Sequence, residues 1–191
     1  MKKLLIILTI ILISSNTFLP IVGNAKESTK GDWYRFQLTP ENEDFLDDAP
    51  RVVNCSIVVP VSASDLWKNI IDQHNWTKWF KGMKNCELVS SGPISLHSKR
   101  IVNVPPLKFY EDIIILEPER AFGFTILEEN IGLFTRAVEA VYLEPVDENS
   151  TRLIFRGGYE YRGIYDILNI IIKIELINRW IISFEKLAEI S

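Results

Sequence analysis

Few residues of this chain have the types and spacing that bond-making chemistry needs. The two histidines, His74 and His97, have no partner at metal-ligand or triad spacing, so each reads as a loop or surface residue. No glycine-rich phosphate loop and no nucleophile elbow occurs. What remains is a set of ionisable side chains set into strand-like and helix-like patterns. A buried tyrosine or glutamate can do acid–base work without a motif, and Tyr159, Tyr161 and Glu111 are the candidates. Arg136 and Glu139 lie three apart in one strand and take opposite faces, so only one of them points inward. The facing of Arg100 and Glu111 stays open. Asp166 and Lys173 are two turns apart on one helix face, where they either orient a ligand headgroup or rest at a rim in water. No catalytic residue, no metal and no cofactor is expected.

The stronger signal is apolar. A hydrophobic ligand needs a concave apolar wall and a few polar groups to orient it. Along the last strand, Leu153, Phe155, Gly157, Tyr159 and Tyr161 alternate onto one face, with Arg152, Arg156 and Glu160 on the other. Gly157 removes side-chain volume there and is expected to leave room for a ligand. Phe122, Phe124 and Ile126 form a similar stripe. A closing helix over about 164–190 puts Ile174, Ile177, Trp180, Ile181, Phe184 and Leu187 on one face, while its first half is apolar almost all round. The expected cavity residues are thus Phe122, Phe124, Phe155, Gly157, Tyr159, Tyr161, Asp166, Lys173, Ile174, Ile177 and Ile181. Loops add a direction. Pro106 and Leu107, then Ile131, Leu133 and Phe134, are apolar where loops are usually polar, and they share an end with Ile167 and Ile170. That end is expected to be a hydrophobic entrance or a lipid-facing surface.

Turn residues cut the chain into elements that hold these positions. A Val/Ile-rich strand over 51–59 precedes two short helices, the first capped by Ser62 or Ser64 and the second covering 75–80. Six further strands follow, over 86–90, 99–104, 108–116, 120–127, 134–143 and 151–161, with short connections that imply an antiparallel meander. The 191-residue length fits one such domain, preceded by a polar, acidic leader over 26–50. Residues 1–25 read differently. Lys2 and Lys3, the apolar run 4–13, and small Gly23 and Ala25 have the pattern of a secretory signal peptide, so export to a periplasmic or extracellular space is expected. The alternative is a membrane anchor over 4–22. A net charge of −4 argues against nucleic acid as a partner.

The order strand, two short helices, six strands, long helix, together with several strings, resembles the START-like (SRPBCC) superfamily, in particular its polyketide cyclase/dehydrase branch. The strings are Val59-Pro60-Val61-Ser62-Ala63-Ser64-Asp65-Leu66-Trp67, Asn75-Trp76-Thr77-Lys78-Trp79-Phe80, Ile115-Leu116-Glu117-Pro118-Glu119-Arg120, and Tyr142-Leu143-Glu144-Pro145 with Ser150-Thr151-Arg152-Leu153. The resemblance covers about 51–190. It implies an α+β helix-grip fold of the Bet v 1 type, in which a curved antiparallel seven-stranded sheet wraps a long C-terminal helix around a cavity. It also implies that Cys55 and Cys86 sit on opposite edges of the sheet, so a disulfide is not assumed. The implied partner is a lipid-, polyketide- or isoprenoid-like molecule, bound or carried by a monomer, with contact to a membrane surface as a further expectation. Two alternatives stay open: a polyketide cyclase/dehydratase-like enzyme, and a membrane- or protein-docking module whose pocket is vestigial.

Overall fold

The β-branched and aromatic runs form strands, and the turn clusters end them, in a computed structural model that describes residues 36–191. The expected signal peptide over 1–25, or the alternative anchor over 4–22, lies outside the described residues. The elements are β1 (Phe36–Gln37), α1 (Phe45–Asp48), β2 (Arg51–Val59), α2 (Ala63–Ile71), α3 (Trp76–Trp79), β3 (Asn85–Leu88), β4 (Lys99–Val104), β5 (Leu107–Glu117), β6 (Ala121–Glu129), β7 (Phe134–Asp147), β8 (Ser150–Tyr161) and α4 (Asn169–Ile190). The sheet runs β2-β8-β7-β6-β5-β4-β3, all neighbours antiparallel, and β1 adds a short pairing to the end of β6. Irregular register in β5, between Tyr110 and Glu111 and again between Ile113 and Ile115, bends the sheet as bulges do. α4 lies in the concave face and packs along β2. This is the helix-grip architecture.

Local chemistry explains the short helices. Ser62 caps α2: its hydroxyl accepts from the Asp65 backbone N–H at 3.2 Å. A 3₁₀ turn at Gln73–Asn75 leads into α3, and Trp76 donates its indole N–H to the Ile70 carbonyl at 2.8 Å. Cys55 and Cys86 are free thiols on the two edge strands. Burial pushes both up to about 11, so neither is a ready thiolate.

Two regions depart from the sequence reading. The segment expected to be a polar leader is folded from Phe36 onward: Phe45 and Leu46 are buried on the outer face of the sheet with Ile115, Ala121, Val138 and Ala140. Gly158 makes this fit, since a Cβ there would stand 2.6 Å from the Phe45 carbonyl oxygen. Salt bridges Arg156–Asp47 and Arg136–Glu41 hold the same segment down at 2.6 and 3.1 Å. The closing helix also begins later than its pattern suggests. Gly163–Leu168 is a 3₁₀ turn, and the α-helix starts at Asn169, whose side chain donates to the Asp166 carbonyl at 2.5 Å. Tighter winding brings Ile164 and Ile167 onto one side, away from the core.

Candidate functional site

Between the sheet and the first half of α4 lies a cavity of about 190 Å³. Its walls are aromatic and aliphatic: Trp76 and Phe80 around α3, Val102 and Val104 from β4, Phe124 from β6, and Ile172, Leu176 and Trp180 from α4. The volume corresponds to about six water molecules at liquid density. That is below the usual range for drug-sized pockets, roughly 300–1,000 Å³. A larger depression of about 660 Å³ lies elsewhere, lined by Glu43, Glu117, Arg120, Glu144 and Arg156, and its charged lining sets it apart from this apolar interior.

The mouth is built by one buried carboxylate and one amide. Glu129, at the end of β6, accepts from the backbone N–H groups of Ile131 and Leu133, each at 2.5 Å. Burial raises its pKa, and these backbone bonds oppose the rise. Asn130 joins the two mouth loops: it accepts from the Lys108 N–H at 2.8 Å and donates to the Pro106 carbonyl at 3.0 Å. Pro106 follows a cis peptide bond. In this way Pro105, Pro106, Leu107, Ile131, Leu133 and Phe134 all reach the cavity lining.

Five acidic or basic side chains also line the cavity: Arg100, Glu111, Glu139, Glu175 and Arg179. Arg100 and Glu111 face each other across β4 and β5 and form a buried salt bridge at 2.6 Å. Arg100 donates to the Gln73 side-chain oxygen at 2.7 Å, and its guanidinium carbon lies 4.3 Å from the ring centres of both Trp76 and Phe124. Burial raises the Glu111 pKa against the pull of Arg100. On the other side of Phe124, which pairs with Glu139 across β6 and β7, the Glu139 carboxyl accepts from the Tyr159 hydroxyl at 2.6 Å. Glu139 is only half-buried by surface area, yet burial pushes its pKa up to about 7. The two facts agree because the surface it keeps opens on the cavity rather than on bulk solvent. Burial likewise raises Tyr159 well above an ordinary phenol and lowers the Arg179 guanidinium.

The cavity residues expected from the sequence are distributed as follows. Phe124 lines the cavity. Phe122, Phe155, Tyr159 and Tyr161 are buried in the solid core beside it; Phe155, for example, stacks on Trp180 at 4.4 Å. Gly157 leaves no room for a ligand. A Cβ there would lie 2.4 Å from the Tyr159 hydroxyl, so the missing side chain lets Tyr159 fold back along its own strand and reach Glu139 opposite. Asp166 and Lys173 are outside the cavity: Asp166 pairs with Arg51 at 2.7 Å and Lys173 donates to the Val52 carbonyl at 3.2 Å, both at the surface against β2. Ile174 is half exposed, and Ile177 and Ile181 are partly buried without lining the cavity. At the entrance Ile167 and Ile170 point into solvent, 78% and 68% exposed, while Tyr165, Leu168 and Ile172 turn inward.

Of the polar wall, sequence reasoning named Arg100, Glu111 and Glu139 without fixing which way Arg100 and Glu111 face, and it missed Glu175 and Arg179. Arg136 and Glu139 do take opposite faces: Arg136 points out to Glu160 at 2.7 Å and Glu139 points in. One signal was available for Glu139. It is a lone acid among apolar neighbours on the inward side of β7, two residues from buried Ala137 and Val141. Among the described residues, no group of three His, Cys, Asp or Glu side chains is placed to hold a metal, and no helix is long and apolar enough to cross a membrane.

Comparison with known proteins follows the same outline. A family model described as polyketide cyclase / dehydrase and lipid transport matches residues 50–169. A START superfamily protein from Mycobacterium smegmatis superposes with a TM-score of 0.62 at 15% identity, covering 72% of this chain and 97% of the other. The Zhui aromatase/cyclase from Streptomyces sp. R1128 gives 0.60 at 14% identity, over 73% and 92%. A truncated norcoclaurine synthase from Thalictrum flavum gives 0.56 at 14% identity, over 73% and 91%. At these identities the likeness is one of fold. No curated protein matches the sequence.

Proposed function

The chain belongs to the polyketide cyclase/dehydrase and lipid transport family, and from that premise we propose that it binds a small hydrophobic molecule in the cavity beneath α4. The observation that carries this reading is an apolar hollow of about 190 Å³ whose mouth loops are themselves apolar and held in shape by Glu129 and Asn130. Its size favours a molecule of one or two rings, or the end of a longer one, over a whole two-chain lipid. The signal-peptide pattern of residues 1–25 supports action outside the cytoplasm, and the exposed Ile164, Ile167, Ile170 and Ile174 beside the mouth support contact with a membrane surface during loading. The test is equilibrium dialysis of naphthalene against the purified domain and against Leu133→Trp, which fills the mouth. Saturable one-to-one binding that falls at least tenfold in the variant is expected, with the variant's melting curve showing that it folds. Absence of saturable binding to the unaltered protein would remove the reading.

A second reading has its own observation. The Glu139 carboxyl is hydrogen-bonded to Tyr159, opens on the cavity and titrates at about 7, where a general acid or base works best. Such a pair suits proton transfer to or from a bound ligand. Recovery of a chemically altered ligand after incubation, lost in Glu139→Gln, separates this enzyme reading from a carrier that returns its ligand unchanged.

A further inference from the structure

We propose that the cavity sorts ligands by head group: it takes an apolar molecule that ends in an uncharged hydroxyl or carbonyl, held at Glu139, and turns away the same molecule ending in a carboxylate or phosphate. This rests on the reading of the cavity as a ligand site and adds the chemistry of its occupant. The charges on the wall carry it. Two arginines stand against three glutamates. Arg100, the deeper cation, is already matched by Glu111, by Gln73 and by two aromatic faces. Arg179 donates to the Lys81 carbonyl at 3.1 Å and faces Glu175 and Glu139. Arg179 makes no salt bridge among the described residues, but carboxylates outnumber cations on the wall, so an anionic head adds to an acid excess in an apolar hollow, which costs several kcal/mol or drives the head to its neutral form.

Glu139 supplies what a neutral head needs. One of its oxygens accepts from Tyr159, and the other has no hydrogen-bond partner among the described residues. The groups that act on it are Glu111 from β5, Arg100 from β4, Arg179 from α4 and Tyr159 from β8. Near neutral pH the carboxyl is available in both forms, so it accepts from a ligand hydroxyl or donates to a ligand carbonyl. A ligand carboxylate held there would instead meet Glu139 itself and, beyond it, buried Glu111. An ammonium head held at Glu139 would find one free oxygen there for its three donors, on a carboxyl that burial has moved toward its neutral form.

Four probes of one shape test this by equilibrium dialysis at pH 7: naphthalene, 2-naphthol, 2-naphthoate and 2-naphthylmethylammonium. Naphthol is expected to bind tightest and naphthoate at least tenfold more weakly. In Glu139→Gln, which keeps an acceptor and a donor, naphthol binding stays within threefold and the naphthoate gap narrows. In Glu139→Leu, naphthol binds no better than naphthalene; if that variant fails to fold, the glutamine variant still decides. Naphthoate or the ammonium binding as tightly as naphthol, or a gap unchanged in Glu139→Gln, overturns the proposal while naphthalene binding leaves the cavity reading intact. Failure of naphthalene and naphthol alike removes both.

Discussion

The two halves of α4 show how one helix can be both a core element and a lid. In the second half, Trp180, Ser183, Phe184 and Leu187 are buried, and Trp180 meets Phe155, Phe80 and Phe184 at ring distances of 4.4, 4.8 and 5.5 Å. Ser183 even accepts from the Lys81 backbone N–H at 2.9 Å, tying this half to the α3 end of the sheet. In the first half no residue is fully buried. Leu168, Ile172 and Leu176 roof the cavity, and Ile170 and Ile174 face water. Apolar content does not separate the halves, because the hollow half is at least as rich in isoleucine. What the helix presents does: its second half sends Trp180 and Phe184 among rings from β8 and the α3 end, whereas its first half offers only aliphatic Ile172 and Leu176, which leave the space before the opposite wall unfilled.

The comparison breaks most directly through truncation in each half. Phe184→Ala leaves a new void among close-packed rings and is expected to cost about 4 kcal/mol in urea unfolding. Leu176→Ala only widens a space that already exists and is half exposed to it, so about 1 kcal/mol is expected. Equal losses at the two sites would mean that the first half is as solid as the second.

The polar wall sharpens the contrast through pH. Glu139 has its pKa raised in the folded state, so its favourable contribution is complete below the ordinary glutamate range, near 4.5, and is lost as pH rises through about 7. The shift corresponds to at most about 3 kcal/mol, and cavity water reduces it. Glu139→Gln keeps an acceptor for Tyr159 without the charge. It is expected to match the unaltered protein at pH 4.5 and to exceed its stability by about 1–2 kcal/mol at pH 8, read as the difference between urea midpoints. Glu111 is raised in the same direction and repels Glu139, so removing the Glu139 charge eases Glu111 as well and adds to the difference with the same sign. A difference that does not change with pH would place Glu139 in contact with bulk water.

Strand order and the helix were legible in the sequence because turn residues and period-two patterns act over a few residues. The runs 51–59 and 99–104 coincide with β2 and β4, and the other strands differ by a few residues at their ends. Much of the mouth was legible too, since apolar residues at Pro106, Leu107, Ile131, Leu133 and Phe134 are unusual in loops. The cavity floor was not. Whether Phe155 fills space or borders it depends on Trp180, which arrives from 25 residues away and stacks on it. The Arg100–Glu111 pair spans two strands whose register no local pattern fixes. Gly157 looked like space because a missing side chain is visible in a sequence, whereas Tyr159 folding back into that space is not. Residues 36–50 looked like a leader because their acids are visible, whereas the burial of Phe45 and Leu46 depends on a sheet face assembled by distant strands.

The smallest expected effect probes the outer side of the hollow half. Ile167 and Ile170 are largely exposed, Ile167 in the 3₁₀ turn and Ile170 at the start of α4. If water is what they meet, Ile167→Ser with Ile170→Ser changes stability by no more than about 0.5 kcal/mol, because exposed positions away from special features contribute little to folding. Binding of naphthalene should be unchanged as well, since neither residue lines the cavity. Vesicle co-sedimentation is where the pair should register: if the stripe meets lipid during loading, the double variant binds zwitterionic vesicles more weakly than the unaltered protein while melting at the same temperature. A loss of more than about 1 kcal/mol of stability would show instead that another part of the chain or a second copy already covers these isoleucines, and the hollow half would then be closed where it now stands open.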